Sequence, residues 1–115
     1  MDSTTDLCSI RCVAGRDGIT IQIDGDLDLA TAPLLAAALD DADRDVGAVV
    51  LDISGLKFCD GAGLRVLELT RRRLGERFQV RGASPFVLRI AEIVGMTWVA
   101  QEDTMSGARY GDQPS

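Results

Sequence analysis

Two carboxylates, one thiol and a run of small residues are the groups in this chain that could do chemistry. Asp28 ends the stretch Gly25-Asp26-Leu27-Asp28, and Asp60 follows Cys59 and opens Gly61-Ala62-Gly63-Leu64-Arg65. Two carboxylates in one site can divide acid and base roles, or share a cation. A carboxylate just before a helix can accept from the free backbone amides of its first turn. A thiol beside such a turn can be redox-sensitive. The rest of the chain narrows these options. It holds no histidine, which removes the commonest general base and metal ligand. Cys8, Cys12 and Cys59 have no CxxC spacing, so neither a zinc site nor a disulfide framework is indicated. Nothing else completes a cation site around Asp28 and Asp60. Gly-x-Gly is too short for a dinucleotide fingerprint, and no GxxxxGK[ST] is present. No cofactor, no metal and no catalytic constellation are expected.

Capping alone does not account for the residues after Asp60. Ser or Thr would cap as well as Asp. Small residues in a first turn also carry a helix-propensity penalty, about 1 kcal/mol for a glycine in mid-helix and less near the end. Two explanations stand for Gly61-Ala62-Gly63: close packing inside the fold, or close approach of a partner. Cys59 likewise has two readings, a redox-sensitive thiol or a small buried hydrophobe, and burial is the simpler one. Cys8 and Cys12 fall on one face of an extended strand, where burial again suffices.

The elements that must position these groups follow from periodicity. Residues 7–13 and 19–24 read as strands of an antiparallel hairpin, joined by a turn ending in Asp17-Gly18. Residues 29–43 carry Leu34, Leu35, Ala38 and Leu39 at helical spacing, with Asp28 or Thr31 as cap and Pro33 in the first turn. Residues 47–53 contain the unbroken apolar run Ala48-Val49-Val50-Leu51, which predicts a central strand with helices on both sides. Residues 61–74 form the next helix, with Gly63, Val66, Leu67, Thr70 and Leu74 inward and Leu69 exposed. Residues 78–81 are a strand. Ser84 and Pro85 open a helix over 86–93 that Gly95 ends, and 98–100 read as a last strand. Residues 1–6 and 103–115 read as tails around one domain over 7–102. This order predicts a single α/β domain with a mixed sheet of four or five strands and three or four helices.

Size and charge set the class. The chain has 115 residues, enough for one domain with its own core. The net charge of −6 argues against nucleic acid as partner. Positive charge is concentrated between Arg65 and Arg81, which hold six arginines of the chain's twelve basic residues. That stretch is either a solvated helix face or a docking patch for an acidic protein. No apolar run is long enough to span a bilayer, and the acidic, polar N-terminus does not read as a signal peptide, so a cytoplasmic protein without membrane insertion is expected.

Four segments, Gly25-Asp-Leu-Asp28, Val49-Val-Leu-Asp-Ile-Ser54, Phe58-Cys-Asp-Gly-Ala-Gly-Leu64 and Ala83-Ser-Pro-Phe86, resemble in order and spacing the STAS domain family, which includes the bacterial anti-sigma factor antagonists. The resemblance spans about residues 7–100. It implies a STAS-like mixed sheet with helices packed against it. It also implies protein docking on an anti-sigma factor, usually one with a serine-kinase fold, and hence regulation of transcription without catalysis. Asp28, Asp60, Gly61, Ala62, Gly63, Leu64 and Arg65 would form the contact region. The family pattern Asp-Ser-x-Gly places a phosphorylated hydroxyl directly after the Asp. Gly61 stands there, followed by Ala62, so neither can accept phosphate. The alternative implied by the resemblance is a small cytoplasmic STAS subunit of a membrane lipid-transport complex.

Overall fold

A computed structural model describes residues 3–4, 8–44 and 47–99. Its elements are β1 (Ser3–Thr4), β2 (Cys8–Ala14), β3 (Gly18–Leu27), α1 (Ala32–Ala42), β4 (Ala48–Cys59), α2 (Gly61–Leu74), a 3-10 turn (Gly75–Arg77), β5 (Phe78–Arg81) and α3 (Pro85–Ile93). The strands lie in the order β1-β2-β3-β4-β5. β1 and β2 run antiparallel to their neighbours, and β3, β4 and β5 are parallel. The expected mixed sheet is therefore present with five strands.

Topology decides where the helices go. β3-α1-β4 and β4-α2-β5 are successive crossovers between adjacent parallel strands. Such crossovers are right-handed, and two that progress in one direction put both helices on one face. α1 accordingly packs over β2 and β3, α2 packs over β4 and β5, and the two helices touch. The core lies between them and the sheet. Ile10, Ile21, Ile23, Val49, Leu51, Ile53, Phe78 and Val80 point inward from the strands, and Leu35, Leu39, Leu67 and Leu74 meet them from the helices.

The expectation that β4 has helices on both sides does not hold. Burial along it alternates, with Val49 and Leu51 buried and Ala48, Val50 and Asp52 only half-buried. Val50 is flanked in the sheet by Thr20 on β3 and Gln79 on β5. Among the described residues, the side chains of the adjacent strands flank it and no second helical layer is seen on that face.

Four boundaries differ from the sequence pattern. Ser3–Thr4, inside the expected N-terminal tail, pairs with Ser9 and Ile10 of β2. β3 and β4 run further than their apolar runs, because Asp24–Leu27 bonds to Gly55–Cys59 through two register shifts. Backbone pairing there overrides the poor strand propensity of Gly25 and Gly55. α1 starts at Ala32 because residues 28–31 form the turn that caps it. Thr97, Trp98 and Val99 are helical, not extended. Their β-prone side chains yield to local bonding after Gly95, with Val99 N donating to Met96 O at 3.2 Å. Trp98 instead packs edgewise on Phe78, ring centroids 5.9 Å apart, under the Arg71 guanidinium at 4.9 Å. Ala100 and the tail expected over 103–115 lie outside the described residues.

Arg73 ties α2 to α1 through Asp40 at 3.0 Å and Asp43 at 3.2 Å, and Arg77 joins Asp43 at 3.3 Å. These side chains keep much of their surface in water, so screening limits their worth to about 1 kcal/mol or less. Asp43→Asn is expected to lower stability by about 0.5–1 kcal/mol. In 1 M salt, where the Debye length falls to about 3 Å, most of that difference should vanish. Paired urea titrations at low and high salt check both statements.

Candidate functional site

The site forms where β3 and β4 end. Leu27 and Cys59 are register partners, and Asp60 N donates to Leu27 O at 3.1 Å. This pairing brings the loops after both strands side by side, Asp28 on one and Asp60 on the other. α1 and α2 both begin at this edge of the sheet, whereas β5 ends level with Asp52 and α3 starts further back. The edge therefore presents two helix N-termini, where positive partial charge gathers.

Each helix N-terminus is capped by a side chain from the preceding loop. Asp60 Oδ1 accepts from Ala62 N at 2.9 Å and Gly63 N at 3.1 Å. Asp28 Oδ1 accepts from Ala30 N at 3.0 Å and Thr31 N at 3.1 Å. Thr31 is buried; its hydroxyl donates to Asp26 O at 2.8 Å and accepts from Asp28 N at 2.9 Å, which locks the turn. Ser84 Oγ accepts from Val87 N at 3.2 Å, the cap read from the sequence. Asp28 and Asp60 are thus both committed to backbone amides. Among the described residues, no group of three His, Cys, Asp or Glu side chains could hold a metal ion.

The two glycines after Asp60 separate cleanly. A Cβ on Gly63 would sit 2.6 Å from Leu27 Cγ and 3.0 Å from Cys59 Sγ, and all three residues are buried. Gly63 is small because the first turn of α2 presses on the ends of β3 and β4. A Cβ on Gly61 would meet nothing within 4 Å, and Gly61 is exposed. No contact within the fold asks for glycine there. Ala62 is half-buried against the core. Leu64 is only 5% exposed and belongs to the core, so the position expected as a contact offers little surface. Arg65 is exposed and has no partner among the described residues. The other arginines of α2 are engaged: Arg71 with Phe78 O at 2.9 Å, Arg72 with Glu68 at 3.3 Å, and Arg73 with Asp40 and Asp43. The basic stretch, read along the chain as a solvated face or a docking patch, is partly internal wiring.

Cys59 is buried, and burial, with the Asp60 charge second, pushes its thiol up to about 11. Cys8 is also buried and shifted upward, by burial first and then by Asp28, Asp26 and Asp24. A thiol that resists ionisation is a poor nucleophile and a poor oxidant sensor. Burial and the raised pKa both favour Cys59 as a small buried hydrophobe over a redox-sensitive thiol.

Sequence reasoning passed over the apolar side chains around this edge. Leu29 is 78% exposed beside Asp28, and Phe58 is 45% exposed and pairs in register with Asp26. Their signal was their setting: each large apolar residue stands in or next to a loop at a strand's carboxyl end, off any core periodicity. Apolar side chains around fixed polar caps are the composition of a protein contact surface.

The fold and site together define a small α/β domain that displays a capped, open helix N-terminus within an apolar rim. The chain belongs to the STAS domain family: the family described as "Mlab, STAS domain" matches residues 11–100. It is similar to the anti-sigma-F factor antagonist RsfB of Mycobacterium tuberculosis, with 28% identity over 108 residues covering 86% of this chain and 88% of RsfB. The crystal structure of an anti-sigma factor antagonist from Mycobacterium paratuberculosis superposes with a TM-score of 0.72 and 26% identity, covering 83% and 84% of the two chains. The antagonist SpoIIAA in its unphosphorylated form shares the fold at 19% identity, with a TM-score of 0.65 over 77% of this chain and 84% of SpoIIAA.

The glycines and the thiol give two tests. Gly63→Ala is expected to cost roughly 1–3 kcal/mol by overpacking. Gly61→Ala should be neutral or slightly stabilising, since alanine favours helix and space is free. Urea unfolding of both variants reads the contrast; equal costs would contradict the packing. At pH 8, only roughly one Cys59 in a thousand is thiolate at a pKa near 11. Iodoacetamide should therefore leave Cys59 unmodified in the folded chain and label it in urea, as read by peptide mass spectrometry.

Proposed function

We propose that this chain is an anti-sigma factor antagonist: it docks on an anti-sigma factor through the edge around Asp60 and so regulates transcription. The partner is an anti-sigma factor of serine-kinase fold, the setting is cytoplasmic, and the action is binding, not catalysis. Gly61 carries this reading. It is exposed, lies at the first position of a capped helix and has open space around it. A partner's backbone can approach α2 there without meeting a side chain. Asp60 and the Asp28 loop frame the approach, Leu29 and Phe58 supply apolar area, and Arg65 supplies a cation one turn further on. The relatives favour this reading over a transport subunit, since RsfB and the M. paratuberculosis protein are both anti-sigma factor antagonists.

Docking here is not switched at the usual position. SpoIIAA has been solved in both phosphorylated and unphosphorylated forms. A phosphate at the start of α2 would add close to two negative charges and bulk at a close contact, which blocks docking by repulsion and clash. Gly61 and Ala62 offer no hydroxyl to carry it. The chain is a constitutive antagonist, controlled by its abundance or by a second protein.

Gly61→Glu puts a carboxylate and bulk where that phosphate would stand. Calorimetry against the anti-sigma factors encoded in the same genome should show one that binds the natural chain and binds the variant at least about tenfold more weakly, the scale of one lost or repelled charge contact. Unchanged affinity would sink the assignment. Gly61→Ser should bind that partner normally and, with ATP and the partner kinase, take up one phosphate at the new hydroxyl, which intact-mass measurement detects.

A further inference from the structure

One side of α3 is apolar and turned to solvent. Val87 and Ala91 point into the core, and Leu88 packs half-buried beside them. Phe86, Ile90 and Ile93 recur at i, i+4 and i+7 on another side of the helix, and Val94 extends the line. Phe86 is 51%, Ile93 76% and Val94 54% exposed, with Ile90 half-buried between them. Seven large hydrophobics are exposed among the described residues, and three of them fall on this short stretch. A single exposed apolar side chain is ordinary, but a helical line of them marks a contact surface.

The charges beside the line say what fits it. Arg89 and Glu92 are exposed, three residues apart, on the same side of the stripe. Neither side chain has a hydrogen bond or ion pair among the described residues. A second α3 laid parallel would set arginine against arginine and glutamate against glutamate. Laid antiparallel and crossing at Ile90, it brings the partner's Val94 level with Phe86. The partner's Glu92 then lies within one residue rise, about 1.5 Å along the axis, of Arg89. A two-fold axis repeats each contact, so both Arg–Glu pairs form together. The surface is complementary to itself in charge as well as in apolar pattern.

We propose that a second copy of this chain covers the stripe, α3 packing antiparallel on α3 about a two-fold axis at Ile90. This contact uses α3 alone and does not rest on the proposed function. Nine residues of helix, about 14 Å, bury less than the roughly 800 Å² per partner of a standard stable interface. The dimer is therefore weak and forms as concentration rises.

Sedimentation equilibrium of the full chain tests this. The weight-average mass should climb from one chain towards two between about 10 µM and about 1 mM, the range of a weak contact. Ile93→Lys should hold it at one chain throughout, with the urea midpoint unmoved because the side chain is exposed. Arg89→Glu and Glu92→Arg should each dimerise about tenfold more weakly, since both cross-pairs become like-charged. An equimolar mixture of those two variants should recover the natural affinity, because each pair across the mixed dimer joins a carboxylate to a guanidinium. A single-chain mass up to about 1 mM would overturn the proposal and give the stripe to another occupant. A dimer that survives Ile93→Lys, or a mixture no tighter than its components, would put the contact elsewhere and overturn it too.

Discussion

The arrangement depends on one close approach, that of the first turn of α2 to the ends of β3 and β4. Asp60 N bonds to Leu27 O, Leu27 pairs with Cys59, and Gly63 lets both side chains press against the helix. A Cβ at Gly63 would lift the turn by the amount needed to clear Leu27, and Asp60 would then no longer face the amides of Ala62 and Gly63. The cap, the path of the Asp28 loop and the exposure of Gly61 all inherit their geometry from this contact. It is a steric constraint first. The hydrogen bonds that accompany it are each worth only about 1 kcal/mol net, whereas an overpacked core cannot relax by moving water.

Charge is partitioned with similar economy. Among the described residues, Asp40, Asp41 and Asp43 gather at the end of α1, while Arg65, Arg71, Arg72, Arg73 and Arg77 lie on α2 and in the turn after it. Asp40 and Asp43 lie at the C-terminal end of α1, where negative charge is unfavourable against the helix dipole. Arg73 and Arg77 answer that charge from the neighbouring element. The basic stretch, read along the chain as a solvated face or a docking patch, is therefore partly spent within the fold: Arg73 and Arg77 join α2 and its following turn to α1, Arg71 bonds Phe78 O, and Arg72 pairs with Glu68. This leaves Arg65 conspicuous, because it lies on the same helix and has no such duty.

Much of this was legible from side-chain order. The amphipathic stripe of 61–74, the Ser84-Pro85 start of α3 and the Asp17-Gly18 hairpin turn are local patterns, and local chemistry decides them. The even division between packing and partner for Gly61-Ala62-Gly63 could not be settled from sequence, because it turns on which atoms lie opposite each glycine. The structure gives the two glycines opposite answers. The apolar run 48–51 misled for a related reason: a central strand and a twice-covered strand share composition, and only the alternation of burial separates them. Trp98 and Val99 misled because β propensity describes a side chain's fit to a sheet, and here Phe78 and Arg71 offered Trp98 a better place.

The contrast between the two glycines bears on what the family pattern means in this chain. A residue kept small by the fold says nothing about partners, and Gly63 is such a residue. Gly61 is not: the fold would accept alanine or serine there, and alanine would even favour the helix. A glycine that gives up helix propensity and gains no internal packing is accounted for by something outside the domain, or by nothing at all. The exposed rim of Leu29 and Phe58 weighs against nothing, since leaving apolar side chains around a bare helix start in water has no structural return. A surface with a fixed cap and an apolar border fits the docking face proposed above, and Gly61 and Ala62 bring no hydroxyl to it.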